Sequence, residues 1–245
     1  MGFLKKIFSG EDGPTEKQIR RSMKQATQLH GEAANRVAAM ERLAAWRTPE
    51  SAAALLRRFT IQTPQASMDL EEKQYAVQLL SEMGTVAANP IMNFIRSEPD
   101  VTFPAQALKA ILSPDKFRDS LVQLMEDLSG GYTRWPEVKA VLLGHLEEEA
   151  YPEVADTVSR FLEDEDDDVC IAAIDYLART GDDSVREKLL QLFFEAESRP
   201  RVRGRILDQF MENEWPVKGY RRRIEPLIEL PFYLTSKGMI KRKTG

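Results

Sequence analysis

A pair of apolar residues four positions apart recurs six times along the chain, and this repeat restricts the folds that the sequence can adopt. Residues four apart lie on the same face of a helix. Successive pairs are separated by 31 to 37 residues. The pairs are Ala39/Leu43, Ala76/Leu80, Ala107/Ile111, Leu142/Leu146, Ala173/Leu177 and Ile206/Phe210. Because one unit of this length cannot bury its own apolar face, neighbouring units must stack on one another.

The clearest copy of the unit is Phe161–Phe194, which reads as an acidic turn, a short helix, a Gly-Asp turn and a second short helix. Its first helix carries an apolar stripe at Val169, Ala172, Ala173, Tyr176 and Leu177. Ile171 and Ile174 add a second apolar side to the same helix. A helix that is apolar on two sides is expected to be buried between neighbours. The sequence therefore predicts stacked helix pairs.

Prolines mark the expected starts of most second helices, because the first helical turn does not need the N–H that proline lacks. These positions are Pro49, Pro90, Pro114, Pro152 and Pro216. Thr48, Asn89 and Ser113 precede three of them and are good N-caps. Thr15 and Gln18 have the spacing of a capping box and predict a helix ahead of the first repeat.

The repeated unit resembles the HEAT repeat family. The segments LEDEDDDV and AAIDYLARTGDDSV within Phe161–Phe194 follow the pattern of that family closely, with Cys170 at a position where HEAT units often have Arg. The match extends to Asn35–Phe59 and Lys73–Ile95, and over residues 35–230 as a whole. The resemblance implies an all-α, right-handed α-solenoid of about six helix pairs, with second helices on the concave side. It implies no single activity.

These patterns divide the chain into four parts. Residues 1–14 form an amphipathic or flexible segment, 15–34 a capping helix, 35–230 the HEAT-like repeats, and 231–245 a basic C-terminal end. Ile61–Leu70 is expected to be an insertion that lengthens the first spacing. Two interpretations of Phe232–Lys243 remain open, a small hairpin that closes the repeats or a disordered tail, and the apolar residues in it favour the hairpin.

Charge is distributed unevenly. Residues 1–36 have a net charge of +3, residues 37–198 of −15 and residues 199–245 of +7, which together give −5. The acidic whole, with a pI of 5.4, argues against a nucleic-acid-binding domain. One cysteine excludes an intramolecular disulfide and suits a cytoplasmic protein. No apolar run reaches the length of a membrane span, and Lys5 and Lys6 interrupt the N-terminal apolar stretch, so neither a membrane span nor a secretory signal is expected.

Two segments are candidate contact sites. Phe3, Leu4, Ile7 and Phe8 lie opposite Lys5 and Lys6 on a possible short helix, which predicts a peripheral membrane or docking segment; a frayed terminus, or packing on the first repeat, is the alternative. The glycine-rich loop at 129–136 carries Tyr132 and Trp135, which could anchor a partner or fold back on the neighbouring helix.

Signals for enzymatic chemistry are weak. His30 and His145 are isolated, Cys170 lies in an apolar helix face, and no phosphate loop or nucleophile elbow occurs. The acidic run Glu163–Asp168 lacks the ligand order of an EF-hand and is interpreted as a solvated turn. No catalytic residue, metal or cofactor is predicted.

The leading hypothesis is a non-enzymatic scaffold or adaptor that binds another protein along its helical surface, with a peripheral membrane tether at its N-terminus as an option. Arginines of the second helices are the candidate contact residues: Arg57, Arg58, Arg96, Arg118, Arg160, Arg186, Arg221, Arg222 and Arg223. One alternative is an adaptor that uses these arginines to bind an anionic surface, nucleic acid or lipid. The other is a helical-repeat enzyme of the phycobilin lyase or DNA glycosylase type, from which no residue can be carried over.

Overall fold

A computed structural model describes residues 13–129, 135–147, 151–180 and 183–243. Most of these residues are helical, which confirms the predicted all-α class. The chain divides into two compact units, Met1–Asp127 and Leu128–Gly245, and the division falls within the predicted 35–230 repeat region.

The first unit consists of helices joined by short turns. Its α-helices are α1 (Glu16–Ala26), α2 (Ala33–Trp46), α3 (Pro49–Leu56), α4 (Ala66–Met83), α5 (Ala88–Ser97), α6 (Thr102–Ile111) and α7, which runs on to Ser129 (Pro114–Ser129). Short 3-10 helices follow α3 at Arg57–Thr60 and precede α5 at Gly84–Ala87.

The helices of the first unit pack in an alternating pattern. Helix α2 contacts α4, and α4 contacts α6, so the even helices form one row. Helix α3 contacts both α1 and α5, so the odd helices form a second row. The repeated apolar pairs of the sequence lie in the even helices. All of their members in this unit are buried except Ile111, which is half-buried at the last residue of α6.

The predicted helix starts are correct at three places in this unit and wrong at one. Thr15 and Gln18 form the expected capping box before α1, Thr48 forms one with Ser51 before α3, and α7 begins at Pro114. Asn89 does not cap a helix, because α5 already begins at Ala88 as a continuation of the preceding 3-10 turn.

The predicted insertion is partly helical. Helix α4 begins at Ala66, so only residues 61–65 form the loop and the remainder lengthens α4 to 18 residues. Gly84, with a φ of 72°, ends α4 in a conformation that is readily available to glycine.

The even helices of the second unit also form a row. Its helices are α8 (Pro136–Glu147), α9 (Ala155–Ser159), α10 (Asp167–Thr180), α11 (Asp183–Glu195), α12 (Pro200–Glu212) and α13 (Arg221–Ile224), with 3-10 helices at Pro152–Val154, Arg160–Glu163 and Glu225–Leu227. Helix α10 packs against both α8 and α12, and the repeated apolar pairs of these three helices are all buried.

The last expected helix pair is not completed. No helix begins at Pro216, which instead forms a β-bridge with Met239, and the next helix is the single turn α13. The prediction of a second helix at this proline is therefore wrong. The returning C-terminal segment occupies the position beside Pro216 and pairs with its backbone.

The C-terminal segment forms the hairpin that the sequence favoured. Strand β1 (Phe232–Leu234) pairs antiparallel with β2 (Ile240–Arg242), with Tyr233 opposite Lys241. Phe232 and Ile240 are buried, and β2 packs against α12. Burial of these two residues, together with the ladder hydrogen bonds, gives a short hairpin the support that it lacks in isolation.

Candidate functional site

A cluster of charged side chains is buried in the first unit. Glu72 of α4 accepts hydrogen bonds from Arg36 Nη2 at 2.7 Å and from Arg58 Nε at 3.0 Å. Arg58 Nη2 also donates to Asp69 Oδ1 at 2.8 Å, and Lys73 pairs with Asp69 at 3.2 Å. Arg58 has no exposed surface and therefore cannot contact a partner directly. The structure removes it from the predicted contact residues, because its guanidinium joins α4 to the turn after α3.

The carboxylates of this cluster are held in their charged form. Burial acts to raise the pKa of Glu72, but the hydrogen bond from Arg36 and the charge and hydrogen bond of Arg58 outweigh it, so the pKa lies below its ordinary value. For Asp69 burial is outweighed by hydrogen bonds from the Thr63 backbone and from Arg58, and the pKa is again lowered. The cluster is thus a structural contact between helices.

Other candidate arginines of the first unit are engaged with carboxylates near them. Arg57 pairs with Glu98 at 2.5 Å and Arg96 with Asp127 at 2.8 Å. Arg118 pairs with two carboxylates of its own helix, Asp115 and Asp119.

The candidate arginines of the second unit differ in their surroundings. Arg160 and Arg222 are exposed, and Arg186 is half-exposed on α11. Arg221 pairs with Glu225 at 3.1 Å and donates to the carbonyl of Thr235, so it holds α13 against the C-terminal hairpin.

Three aspartates of the acidic run form ion pairs with basic residues that lie before and after the run in the sequence. Asp164 pairs with Lys139 and Asp167 with Arg199, both at 2.7 Å. Asp168 pairs with Arg201. The prediction that the run is a solvated turn is therefore wrong in part: much of its charge is neutralised by cations within the second unit.

Helix α10 and its neighbour α12 share one further charged contact. Asp175 Oδ1 accepts hydrogen bonds from Arg205 Nε at 2.5 Å and from Gln209 Nε2 at 2.9 Å. Arg205 and Asp175 are partly exposed, and Gln209 is buried. This contact lies between the even helices of the second unit, so opposite charges there support the stacking of one helix on the next.

A cleft of about 460 Å³ lies between α11 and α13 in the second unit. Phe194 and Tyr220 form its aromatic walls, with ring centroids 6.0 Å apart. The guanidinium of Arg223 lies 4.1 Å from the centroid of Phe194. The lining is completed by Glu187, Gln191 and Glu195.

Four of the lining residues lie on one side of helix α11. Glu187, Gln191, Phe194 and Glu195 are spaced by four, three and one residues, which places them on one outward face. The hydroxyl of Tyr220 donates to Glu187; that hydrogen bond and burial raise the pKa of the tyrosine. The cleft therefore offers aromatic surface, one guanidinium and two carboxylates.

A smaller cleft of about 230 Å³ lies in the first unit. Phe59 and Phe94 line it together with Lys73, Glu98 and Asp100. The Lys73 ammonium pairs with Asp100 at 3.6 Å and Glu98 is held by Arg57, so these charges are already satisfied within the chain.

Of the candidate residues chosen from sequence, only Arg223 lines the larger cleft. Neither Phe194 nor Tyr220 was among the contact residues predicted from sequence. The spacing of apolar residues in α11 could have indicated Phe194. This residue is a second large ring next to the buried Phe193, but it lies outside the helix face that packs into the core.

Several predicted contact residues lie outside the described ranges of the chain: Tyr132 and the N-terminal Phe3, Leu4, Lys5, Lys6, Ile7 and Phe8. Trp135 is half-buried immediately before α8.

The remaining reactive side chains, Cys170 and the two histidines, do not line either cleft. Cys170 is buried, its Sγ contacts the carbonyl of Leu162 at 3.3 Å, and burial raises its pKa to about 11. His30 is exposed after α1, and His145 is half-buried in α8. Over the described ranges, no three His, Cys, Asp or Glu residues are grouped so as to hold a metal ion.

None of the described helices combines the length and apolar character that a membrane crossing needs. Comparisons with protein-family models, curated proteins and solved structures found no significant match to this chain.

Proposed function

We propose that the protein is a non-enzymatic scaffold of HEAT-like helix pairs, stacked as a right-handed α-solenoid, and that it binds another protein through the cleft between α11 and α13. The support for stacking is the contact pattern within each unit, where even helices pack on even helices. Each even helix carries one of the repeated apolar pairs, and every member of these pairs is buried except the half-buried Ile111. Such repeats present long surfaces to which partners bind.

The arrangement of Arg223 on Phe194 carries the proposal. Arginine and tyrosine are enriched among the residues that dominate binding energy at protein interfaces. Arg223 is exposed, and no carboxylate of the described residues forms an ion pair with it. A guanidinium that is already held against a ring loses little freedom when it binds a carboxylate. The preferred partner segment therefore presents a carboxylate to Arg223, a basic or uncharged polar side chain to the exposed Glu195 and an apolar one to the aromatic walls.

The enzymatic alternative requires a carboxylate enclosed between aromatic side chains. In the larger cleft Glu187 and Glu195 are exposed, and Glu187 accepts a hydrogen bond from Tyr220. In the smaller cleft Glu98 is paired with Arg57, and Asp100 is exposed. These carboxylates resemble the polar rim of a binding surface more than a catalytic acid, which favours the scaffold.

The test compares three forms of the full chain: wild type, Phe194→Ala/Arg223→Ala, and the control Arg201→Ala. The control removes an exposed arginine of the same unit that lies outside the cleft. Each form is used for affinity purification from the native host, and a protein recovered in stoichiometric amount is then purified and titrated by calorimetry. The cleft variant should bind roughly 30-fold more weakly or worse, as expected for the loss of central interface residues.

Two results would contradict the proposal. Equal affinity of the wild type and the cleft variant would show that the partner binds elsewhere. Failure to recover any stoichiometric protein would count against a protein-binding scaffold altogether.

A further inference from the structure

The C-terminal hairpin has two faces of different character. Opposed residues of an antiparallel pair point to the same face, and successive residues of one strand point to opposite faces. Phe232 and Arg242 are opposed, and so are Leu234 and Ile240, which places these four on one face. Tyr233 and Lys241 are opposed on the other face. The backbone N–H of Lys243 donates to the carbonyl of Pro231, which continues the ladder and adds this pair to the second face.

The first face is anchored to the rest of the second unit. Ile240 is buried, and Arg242 lies over the ring of Phe232 at 4.8 Å. The guanidinium of Arg242 also pairs with Asp208 of α12 at 3.0 Å. The second face, formed by Pro231, Tyr233, Lys241 and Lys243, is therefore directed away from α12. We call it the outer face of the hairpin.

The outer face combines exposed apolar groups with cations that have no partner among the described residues. Tyr233 is 41% exposed, and Leu230, which immediately precedes the hairpin, is 75% exposed. Leu227, Leu230 and Tyr233 are three of the six large apolar side chains that are exposed over the described residues. Neither Lys241 nor Lys243 pairs with a described carboxylate. Residues 218–243 contain eight Lys or Arg and two Glu.

We infer that the outer face of the hairpin, with Leu230, binds the surface of an anionic phospholipid bilayer. Tyrosine is favoured at the level of the lipid headgroups, and leucine can enter the acyl boundary. Lysines beside them are attracted by anionic headgroups. Each lysine contributes its own attraction, which acts within about one Debye length of the bilayer surface. The inference does not depend on the cleft between α11 and α13, and it concerns a segment other than the predicted N-terminal one.

The size of the outer face favours a bilayer over an acidic protein. Stable protein interfaces use roughly 20 to 30 residues from each partner. The outer face is far smaller, since it comprises four residues of the hairpin and Leu230, and it lines neither of the two clefts that could anchor the centre of a larger interface. A membrane contact can be this small, because each inserted apolar side chain and each lysine contributes its own binding free energy. These contributions also add to those of any other segment of the molecule that contacts the membrane.

The experiment measures binding of the full chain, by sedimentation, to vesicles of two parts phosphatidylcholine to one part phosphatidylglycerol. The charge variant is Lys241→Gln/Lys243→Gln, and the apolar variant is Leu230→Ser/Tyr233→Ser. The control, Lys24→Gln/Lys116→Gln, removes two exposed lysines of the first unit and so reaches the same net charge as the charge variant. Pure phosphatidylcholine vesicles and a high-salt buffer test the electrostatic contribution.

The wild type and the control should bind anionic vesicles alike, and binding should weaken in high salt and on neutral vesicles. Each lysine lost from the outer face should lower the partition coefficient roughly five-fold, so the charge variant should lose about 25-fold. The apolar variant should also bind more weakly, at unchanged net charge.

A labelled variant reports insertion directly. Because Cys170 is buried, Tyr233→Cys can be labelled selectively with an environment-sensitive dye in the folded protein. Its emission should shift to the blue on anionic vesicles, whereas the same dye on Lys116→Cys should not respond.

Three results would overturn the inference. Unchanged vesicle binding by both hairpin variants would show that the outer face is not the contact, and failure of the wild type to bind would exclude the contact altogether. Tighter binding of the wild type to a soluble polyglutamate than to vesicles, with no loss in the apolar variant, would identify an acidic protein partner instead.

Discussion

The guanidinium of Arg223 lies over the ring of Phe194, 4.1 Å from its centroid. This contact joins the single-turn helix α13 to the end of α11, and it forms one wall of the cleft between these two helices. It therefore links the fold of the C-terminal end to the proposed binding surface.

The contact should be measurable as a coupling energy. In a double-mutant cycle with Phe194→Leu and Arg223→Met, the effects on the free energy of unfolding should differ from additivity by about 0.5 to 1 kcal/mol, the range for an exposed cation–π pair. Urea denaturation of the four proteins gives the coupling. Strict additivity would show that the ring and the guanidinium do not interact in solution.

Removal of the Glu72 charge should strongly destabilise the protein. Glu72→Gln leaves Arg36 and Arg58 without their shared carboxylate in a buried site, which costs about 3 to 5 kcal/mol. The neighbouring exposed Glu71 provides the matched control, and Glu71→Gln should change the free energy of unfolding by about 0.5 kcal/mol or less. Equal effects of the two changes on urea denaturation would contradict the buried cluster.

The same cluster predicts a loss of stability in acid. The pKa of Glu72 is lower in the folded protein than its ordinary value of about 4.3. The folded state therefore binds fewer protons than the unfolded state. The stabilisation by Glu72 is fully present above the pKa of the unfolded state and is lost as the pH falls through the pKa of the folded state. The difference in unfolding free energy between wild type and Glu72→Gln should shrink from pH 7 to pH 3. A difference that stays constant would exclude this linkage.

Two aspartates of α10 should respond differently to the loss of charge. Asp175→Asn weakens hydrogen bonds from two partly buried partners, Arg205 and Gln209, and should cost about 1 to 3 kcal/mol. Asp168→Asn removes an ion pair whose side chains are both more than half exposed, so the unfolding free energy should remain within error of wild type. Thermal or urea denaturation distinguishes the two. A larger effect at Asp168 would contradict the interpretation of these contacts.

Local patterns were sufficient to predict where most helices lie. The spacing of pairs such as Ala173/Leu177 placed the even helices, and Thr15 and Thr48 capped the helices that they precede. Local patterns were not sufficient at Asn89 and Pro216. At Asn89 the chain arrives from a 3-10 turn, and Pro216 pairs with the distant C-terminal segment. Neither effect can be recognised from the residues around the site.

The candidate site was less predictable than the fold. Arginines were predicted as contact residues from their position in second helices. This set contains Arg223, which lines the cleft, but also Arg58, which belongs to the buried cluster. The sequence holds no local difference between an exposed arginine and one that meets two carboxylates of another helix. Phe194 and Tyr220 belong to different elements, separated in sequence by the whole of α12, so only folding brings their rings together.

By itself, the sequence determined the helical class of this protein, the repeat of its buried pairs and the hairpin favoured at its C-terminal end, because periodicity and capping act over a few neighbouring residues. Tertiary structure alone decided which charged side chains form ion pairs within the chain and which remain free to bind a partner. An ion pair such as Arg199 with Asp167 joins residues 32 positions apart, and its formation depends on how one helix stacks on the next.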